Sequence, residues 1–368
     1  MSPGSTDFVQ QFTAELEKPT PTPELLALYV AGMAYPQLNV AQNLALLDEI
    51  SATVYDALVD QPPGRARAEH FLSVLKRQWR FSGNRSRYYD PRNSFLNEVL
   101  ERRTGLPITL SLLCIAVGQR LAQRGLDLAV RGVGLPGHFM AVYRDAQGEW
   151  LLDPFNGKVL AAEEAAAHLS HIFKQPVQLT AEAFEPVSTH MLIYRMLNNL
   201  RLLYLDASEY AAAIAVLNYM IVLTPDDDAL WKERGLLHYY TENWPHAARD
   251  LRHYFFMQGL LLFALGAVDE DGPIGIDEDD LEFGILDADD AELDAADVDA
   301  TEAEYDEAEY DEAEYDEAEY DDEYNAAEYA HMAYSGIEYE SVLDELTAED
   351  QQLLQILGEV EELRTRLN

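Results

Sequence analysis

Between Asp269 and Glu323 the chain carries 29 Asp and Glu among 55 residues, and no Lys or Arg. Nothing else in the sequence limits the fold so strongly. Carboxylates at this density repel one another, and the few aliphatic side chains among them bury too little surface to offset the entropy of ordering the backbone. The stretch is expected to be disordered, so any packed core must come from what precedes and follows it. "EAEYD" runs four times in register from Glu302 to Asp321, with Tyr305, Tyr310, Tyr315 and Tyr320 five residues apart. A period of five matches neither 3.6 nor 2, so these rings share no helix or strand face. Removing this excess takes the net charge from −42 to −13. A chain of such charge is a poor binder of nucleic acid or of an anionic membrane, because phosphate contacts need Lys and Arg. It suits a protein or peptide partner, basic where the acidic stretch takes part. The stretch also lacks the alternating Asp-x-Asp-x-Asp-Gly spacing of a calcium loop.

The rest of the chain reads as α+β and mostly helical. Residues 1–22, around "EKPTPTPE", are expected to be a flexible lead-in. Helical periodicity covers 23–87, and 88–185 reads as a helix pair on a small antiparallel sheet. In 186–258 Leu203, Tyr210, Ala213 and Leu217 recur 34 residues later as Leu237, Trp244, Ala247 and Leu251. That is the tetratricopeptide period, with small Ala at the close helix contact. The acidic, tyrosine-rich segment is placed at 259–340. Residues 341–368 form an amphipathic helix expected to pack on the repeats, with Thr347 as N-cap and Asp350 three residues on. One cysteine, Cys114, excludes an intrachain disulfide framework and a CxxC zinc site. No cofactor or metal is expected. The N-terminus shows no basic-then-apolar leader, and runs such as "LLLFALGAV" fall far short of a membrane span, so a cytoplasmic protein is expected.

Chemistry gathers between residues 93 and 155. "NSFLNEVLERR" predicts a helix capped by Asn93 or Ser94 and stopped at Gly105. "PITLSLLCIAVGQRLAQRG" predicts a second, opened by Pro107 at its first position and apolar on most sides. Cys114 lies two turns into it among Leu112, Leu113, Ile115 and Ala116. There it reads as a buried small hydrophobe, since a reactive thiolate is favoured at a helix N-terminus. "LDLAVRGVG", "HFMAVYR" and "EWLLDPF" predict strands, the last two joined by the turn "DAQG". A turn centred between residues 146 and 147 sets Met140 opposite Asp153. His138 and Asp153 are then diagonal neighbours on one sheet face, their Cβ atoms roughly 7 Å or less apart. A carboxylate beside an imidazole fixes its tautomer, which is the orienting half of a catalytic triad. The same pair can also merely tie a hairpin together. His238, His246 and His253 lie in the repeat helices without an i,i+4 pairing.

The run "FSGNRSRYYDPRNSFLNEVLERRTGLPITLSLL", followed by "GVGLPGHFMAVY" and "LLDPFNG", resembles the bacterial SirB-type family. Its members, often labelled invasion regulators, join a transglutaminase-like (cysteine-protease-like) domain to tetratricopeptide repeats. The likeness covers about residues 24–258, and the closing helix "LLQILGEVEELRTRLN" also fits. It implies that the acidic segment is an insertion in an otherwise complete member. In the wider fold, catalysis uses a Cys at a helix start, a His on one strand and an Asp on the next. Carried onto this sequence, His138 and Asp153 match the base and its orienter, and Pro107 occupies the nucleophile position. Ser111, one turn further on, is the remaining candidate nucleophile. The resemblance therefore implies a protein-binding regulator with a degenerate site, or alternatively a hydrolase or acyl transferase with a non-standard nucleophile.

Overall fold

The computed structural model describes residues 8–260, 268–269, 272–273 and 347–367. The segment read as disordered at 259–340 lies outside the described residues, apart from Gly259, Leu260 and the paired dipeptides Val268–Asp269 and Gly272–Pro273. The chain divides into two compact units, Met1–Pro225 and Asp226–Asn368. The architecture is α+β and mostly helical, and no described helix is long and apolar enough to cross a membrane.

The first unit begins with a helix, α1 (Phe8–Leu16), inside the segment expected to be flexible. Phe8 and Phe12, one turn apart, anchor it. Phe12 is fully buried and meets Tyr219 edge-on, with ring centroids 5.1 Å apart. Phe8 sits over Gly32, where an added Cβ would come within 2.2 Å of the ring. The prolines of "EKPTPTPE" end this helix without loosening what precedes them. Then follow α2 (Pro23–Ala31), α3 (Val40–Leu58), α4 (Arg65–Ser73, running into a π-helical turn at Val74–Gln78), α5 (Leu96–Arg102) and α6 (Pro107–Gln123). Every residue of α6 from Pro107 to Gly118 is buried. Its unbroken apolar run makes it the central helix, with α2, α3 and α5 packed around it.

Ser82–Gly83 (β1) pairs in parallel with Thr104–Gly105 (β2). The main sheet is an antiparallel meander of β3 (Leu128–Leu135), β4 (His138–Asp145), β5 (Gly148–Asp153) and β6 (Lys158–Leu160). Ala141 faces Leu152 and Asp145 faces Gly148, the register that the "DAQG" turn implied. One face meets α6: at Gly118 an added Cβ would lie 2.3 Å from Val130, so the helix and strand are in backbone-close contact. The other face, with Val133, Leu135, Met140, Leu151 and Leu160, is covered by Ala165 and Leu169 of α7 (Ala162–Phe173). By strand alternation, His138 and Asp153 belong to this α7 face. α8 (Thr189–Asp206) and α9 (Tyr210–Leu223) complete the unit, and the Tyr219 hydroxyl donates to the Tyr29 carbonyl at 2.9 Å.

The second unit holds α10 (Asp228–Tyr240), α11 (Trp244–Met257) and α12 (Ala348–Leu367). The sequence period reappears in the backbone. Ser208 and Glu242, 34 residues apart, both take the left-handed conformation (φ 56° and 60°). Each is followed by the same bond, Glu209 N–H to Tyr204 and Asn243 N–H to His238, both at 2.8 Å. Ala213 and Ala247 are fully buried, as close helix packing requires. α12 opens with a reciprocal cap: Thr347 N–H donates to Asp350 and Asp350 N–H to Thr347 Oγ1, each at 3.1 Å. Its Leu353, Leu357 and Val360 pack with Leu251, Tyr254 and Phe255 of α11.

Candidate functional site

The loop before α5 is held by side chains that the sequence pattern assigns elsewhere. Asn93 or Ser94 was expected to cap α5. Instead Asp90 caps a 3-10 turn at Pro91–Asn93, and α5 starts after Phe95. Asn93 is fully buried and acts as a clamp. Its amide donates to the carbonyls of Arg87 (2.6 Å) and Tyr88 (3.0 Å), and its oxygen accepts from Asn84 Nδ2 (3.0 Å). Gly105 does not end α5 either. Arg103, at φ 62°, takes the left-handed position, and Gly105 pairs with Gly83. A Cβ on Gly105 would approach Thr109 Oγ1 to 2.8 Å. Thr109, in the first turn of α6, accepts from Leu106 N–H (2.9 Å) and donates to the Asn93 carbonyl (2.8 Å). The start of α6 and the 84–93 loop therefore form one hydrogen-bonded assembly.

His138 opens β4 and Asp153 closes β5, and the expected register brings them together. His138 Nε2 lies 3.3 Å from Asp153 Oδ1, close enough for an ion pair but out of line for a hydrogen bond, and it has no other partner. Asp153 is fully buried. A second imidazole, not identified from the sequence, reaches its other oxygen: His168 of α7 is 2.8 Å from Oδ2. A carboxylate can only accept, so His168 Nε2 carries the proton in this bond. Asn156 completes the set, donating from its backbone N–H (2.9 Å) and from Nδ2 (2.7 Å). Burial alone would raise the Asp153 pKa. The adjacent His138 imidazole, the hydrogen bond from His168 and the Asn156 N–H outweigh it and hold the carboxyl well below its usual range. Asp153 is thus a fixed anion with an imidazole at each oxygen.

Phe155 connects this pair to the start of α6. Its ring meets His138 edge-on, centroids 6.3 Å apart. It also covers Gly83, where a Cβ would come within 2.4 Å of the ring, and Gly83 is the strand partner of Gly105, two residues before Pro107. Pro107 is buried at the first position of α6. Ser111, one turn on, is fully buried and its hydroxyl donates to the Phe139 carbonyl at 3.4 Å. Cys114 is a free, fully buried thiol, and burial pushes its pKa far up. It borders a small void with Leu110, Leu113 and Pro154. The structure therefore unites His138 and Asp153, adds His168 and Asn156, and leaves Ser111 and Cys114 in the core. Among the described residues, no group of three His, Cys, Asp or Glu side chains is placed to hold a metal ion. His238 lies 4.0 Å from the buried Asp250, which Arg234 grips at 2.6 and 2.8 Å, inside the second repeat hairpin.

Parts of the chain match known families. Residues 41–198 match the transglutaminase-like superfamily and residues 200–273 the tetratricopeptide repeat. A UPF0162 protein of Xylella fastidiosa is 34% identical over 245 residues, covering 62% of this chain and 81% of that protein. Protein SirB1 of Salmonella typhimurium is 22% identical over 62% of this chain and 83% of its own length. F-box only protein 21 of Pongo abelii is 30% identical over 191 residues, which is 48% of this chain but 29% of that larger protein. With its transglutaminase-like core and following repeats, the chain belongs to the SirB-type family of UPF0162 proteins.

Proposed function

We propose that the chain is a protein-binding regulator that keeps the pocket of a transglutaminase-like domain and has lost its chemistry. The residue that opens α6 carries this reading. Pro107 stands, by resemblance, at the nucleophile position, and proline has neither a thiol to attack with nor an N–H to offer an oxyanion. Substitutes are poorly supplied. The Cys114 thiol is kept from ionising by burial, and the Ser111 hydroxyl is engaged by the Phe139 carbonyl. The helical hairpins of 189–257 supply the kind of surface on which such repeats hold a peptide or protein. The acidic stretch adds long-range attraction for a basic partner, and its tyrosines add cation–π contact. A cytoplasmic setting fits the single reduced cysteine.

One observation favours a second reading, a hydrolase or acyl transferase. Asp153 is held as an anion against His138, and a base so oriented could activate a nucleophile supplied from outside α6. Partner recovery on the immobilised full chain, compared for wild type and His138→Ala, separates the two. A binding protein should recover the same partners in both. A hydrolytic activity lost in His138→Ala and kept in Cys114→Ala would establish the enzyme instead.

A further inference from the structure

A cleft of about 300 Å³ opens on the α7 side of Asp153, lined by Arg85, Asn156, Lys158, His168, His171 and Ile172. Its charge is opposite to that of the chain. A guanidinium, an ammonium and two imidazoles converge there, and among the described residues no Asp or Glu lines it. They come from separate elements: Arg85 from the loop clamped by Asn93, Asn156 and Lys158 from the turn into β6, and His168 and His171 from one face of α7. The inner wall is built. The His168 side chain is only 6% exposed, and both His168 and Asn156 donate to Asp153. The Asn156 oxygen in turn accepts from Arg85 Nη2. Lys158 and His171 stand exposed at the rim. Salt screens distant charge beyond about 8–10 Å, so these local cations set the preference of the cleft despite the net −42.

We propose that this cleft binds the carboxylate of an acidic peptide ligand beside the His138–Asp153 pair. A planar guanidinium with a nearby ammonium matches a carboxylate in shape and charge. The cleft has room for about one side chain, and a surface for the rest of a peptide adjoins it. Arg85 lies over the Phe155 ring (5.4 Å), Tyr88 meets Phe155 edge-on (6.0 Å), and Tyr88 and Tyr89 are 40% and 57% exposed on the same loop. A carboxylate held here meets His168 and Asn156, both of which are bonded to Asp153. The assignment is independent of the role given to Pro107. It also differs from the attraction of basic partners by the acidic stretch.

The test uses the full chain and follows the imidazole C–H resonances of its nine histidines during titration with N-acetylglutamate, its neutral amide N-acetylglutamine, and inorganic phosphate. N-acetylglutamate should shift the His168 and His171 signals saturably, and the amide should not. Lys158→Gln and Arg85→Gln should each weaken binding about tenfold, the loss of roughly one charge-assisted contact. Both side chains are exposed, so an unchanged circular dichroism spectrum is expected. Equal binding of the amide would overturn the proposal, as would unaltered N-acetylglutamate binding in the double variant. Phosphate binding tighter than N-acetylglutamate would assign the cleft to phosphorylated ligands and overturn the peptide carboxylate.

Discussion

Asp153 shows what one residue settles in this molecule and how far sequence reasoning reaches it. Its pairing with His138 is legible because strand register follows from the turn "DAQG" and a period of two. Its second imidazole is not legible, because where α7 docks depends on the packing of Ala165 and Leu169, not on any local pattern around His168. Together these contacts give a buried carboxylate with donors at both oxygens. In Asp153→Asn the amide presents one oxygen to donors on two sides, so at least one buried donor loses its acceptor. A loss of about 3 kcal/mol is expected from denaturant unfolding at neutral pH. The sign of its pH dependence follows from the lowered pKa. The stabilisation is complete above the unfolded value near 3.8 and is lost as pH falls towards the folded one. The gap between wild type and Asp153→Asn should therefore narrow below about pH 4. A gap that widened below about pH 4 would contradict a lowered pKa for Asp153. Cys114 offers the complementary measurement. A thiol-reactive dye should leave the native protein unlabelled and modify it once denaturant unfolds it. Labelling of the native protein would overturn the reading of Cys114 as an inert core residue.

At the scale of elements, α2 to α6, α8 to α12, three strands of the meander and the 34-residue repeat are visible as periodicity, whereas α1, α7, β6 and most element ends are not. Asn93 has the composition of an N-cap, yet a buried amide can satisfy three loop groups at once, and tertiary contacts outweigh the local preference. Gly105 looks like a helix stop but is needed for its close approach to Thr109 and Val99. Where a cap and an apolar stripe agree, as in α12, both are recovered. Their contributions can be ranked. Thr347→Ala removes one half of an exposed reciprocal cap and should cost about 1 kcal/mol. Leu357→Ala opens a cavity in a core where Leu357 is fully buried against α11 and should cost about 2–5 kcal/mol. Thermal or denaturant unfolding of the two variants measures the order. If Thr347→Ala proved the more damaging, α12 would be held by its cap and not by its stripe.

Over the whole molecule, charge is divided more sharply than fold. The sequence places nearly all the excess carboxylates after the repeats, while the residues that close the second unit lie on either side of them. Leu260 before the stretch and Leu353 and Leu357 after it share one core. A deletion that respects this core can remove residues 277–340 and keep Leu260. It takes out 29 carboxylates and no Lys or Arg, leaving a net charge of −13. If the stretch is what draws a basic partner, the full chain should bind a polylysine peptide at low salt and release it as ionic strength approaches about 0.15 M, where the screening length falls to about 8 Å. The deleted chain should bind it weakly at every salt concentration. Stability should change little, because the core residues on both sides are retained. The cleft beside Asp153 provides the internal control. Its cations lie outside the deletion, so N-acetylglutamate binding should survive it. Undiminished polylysine binding by the deleted chain would place the attraction on the folded units and leave the acidic stretch without that role.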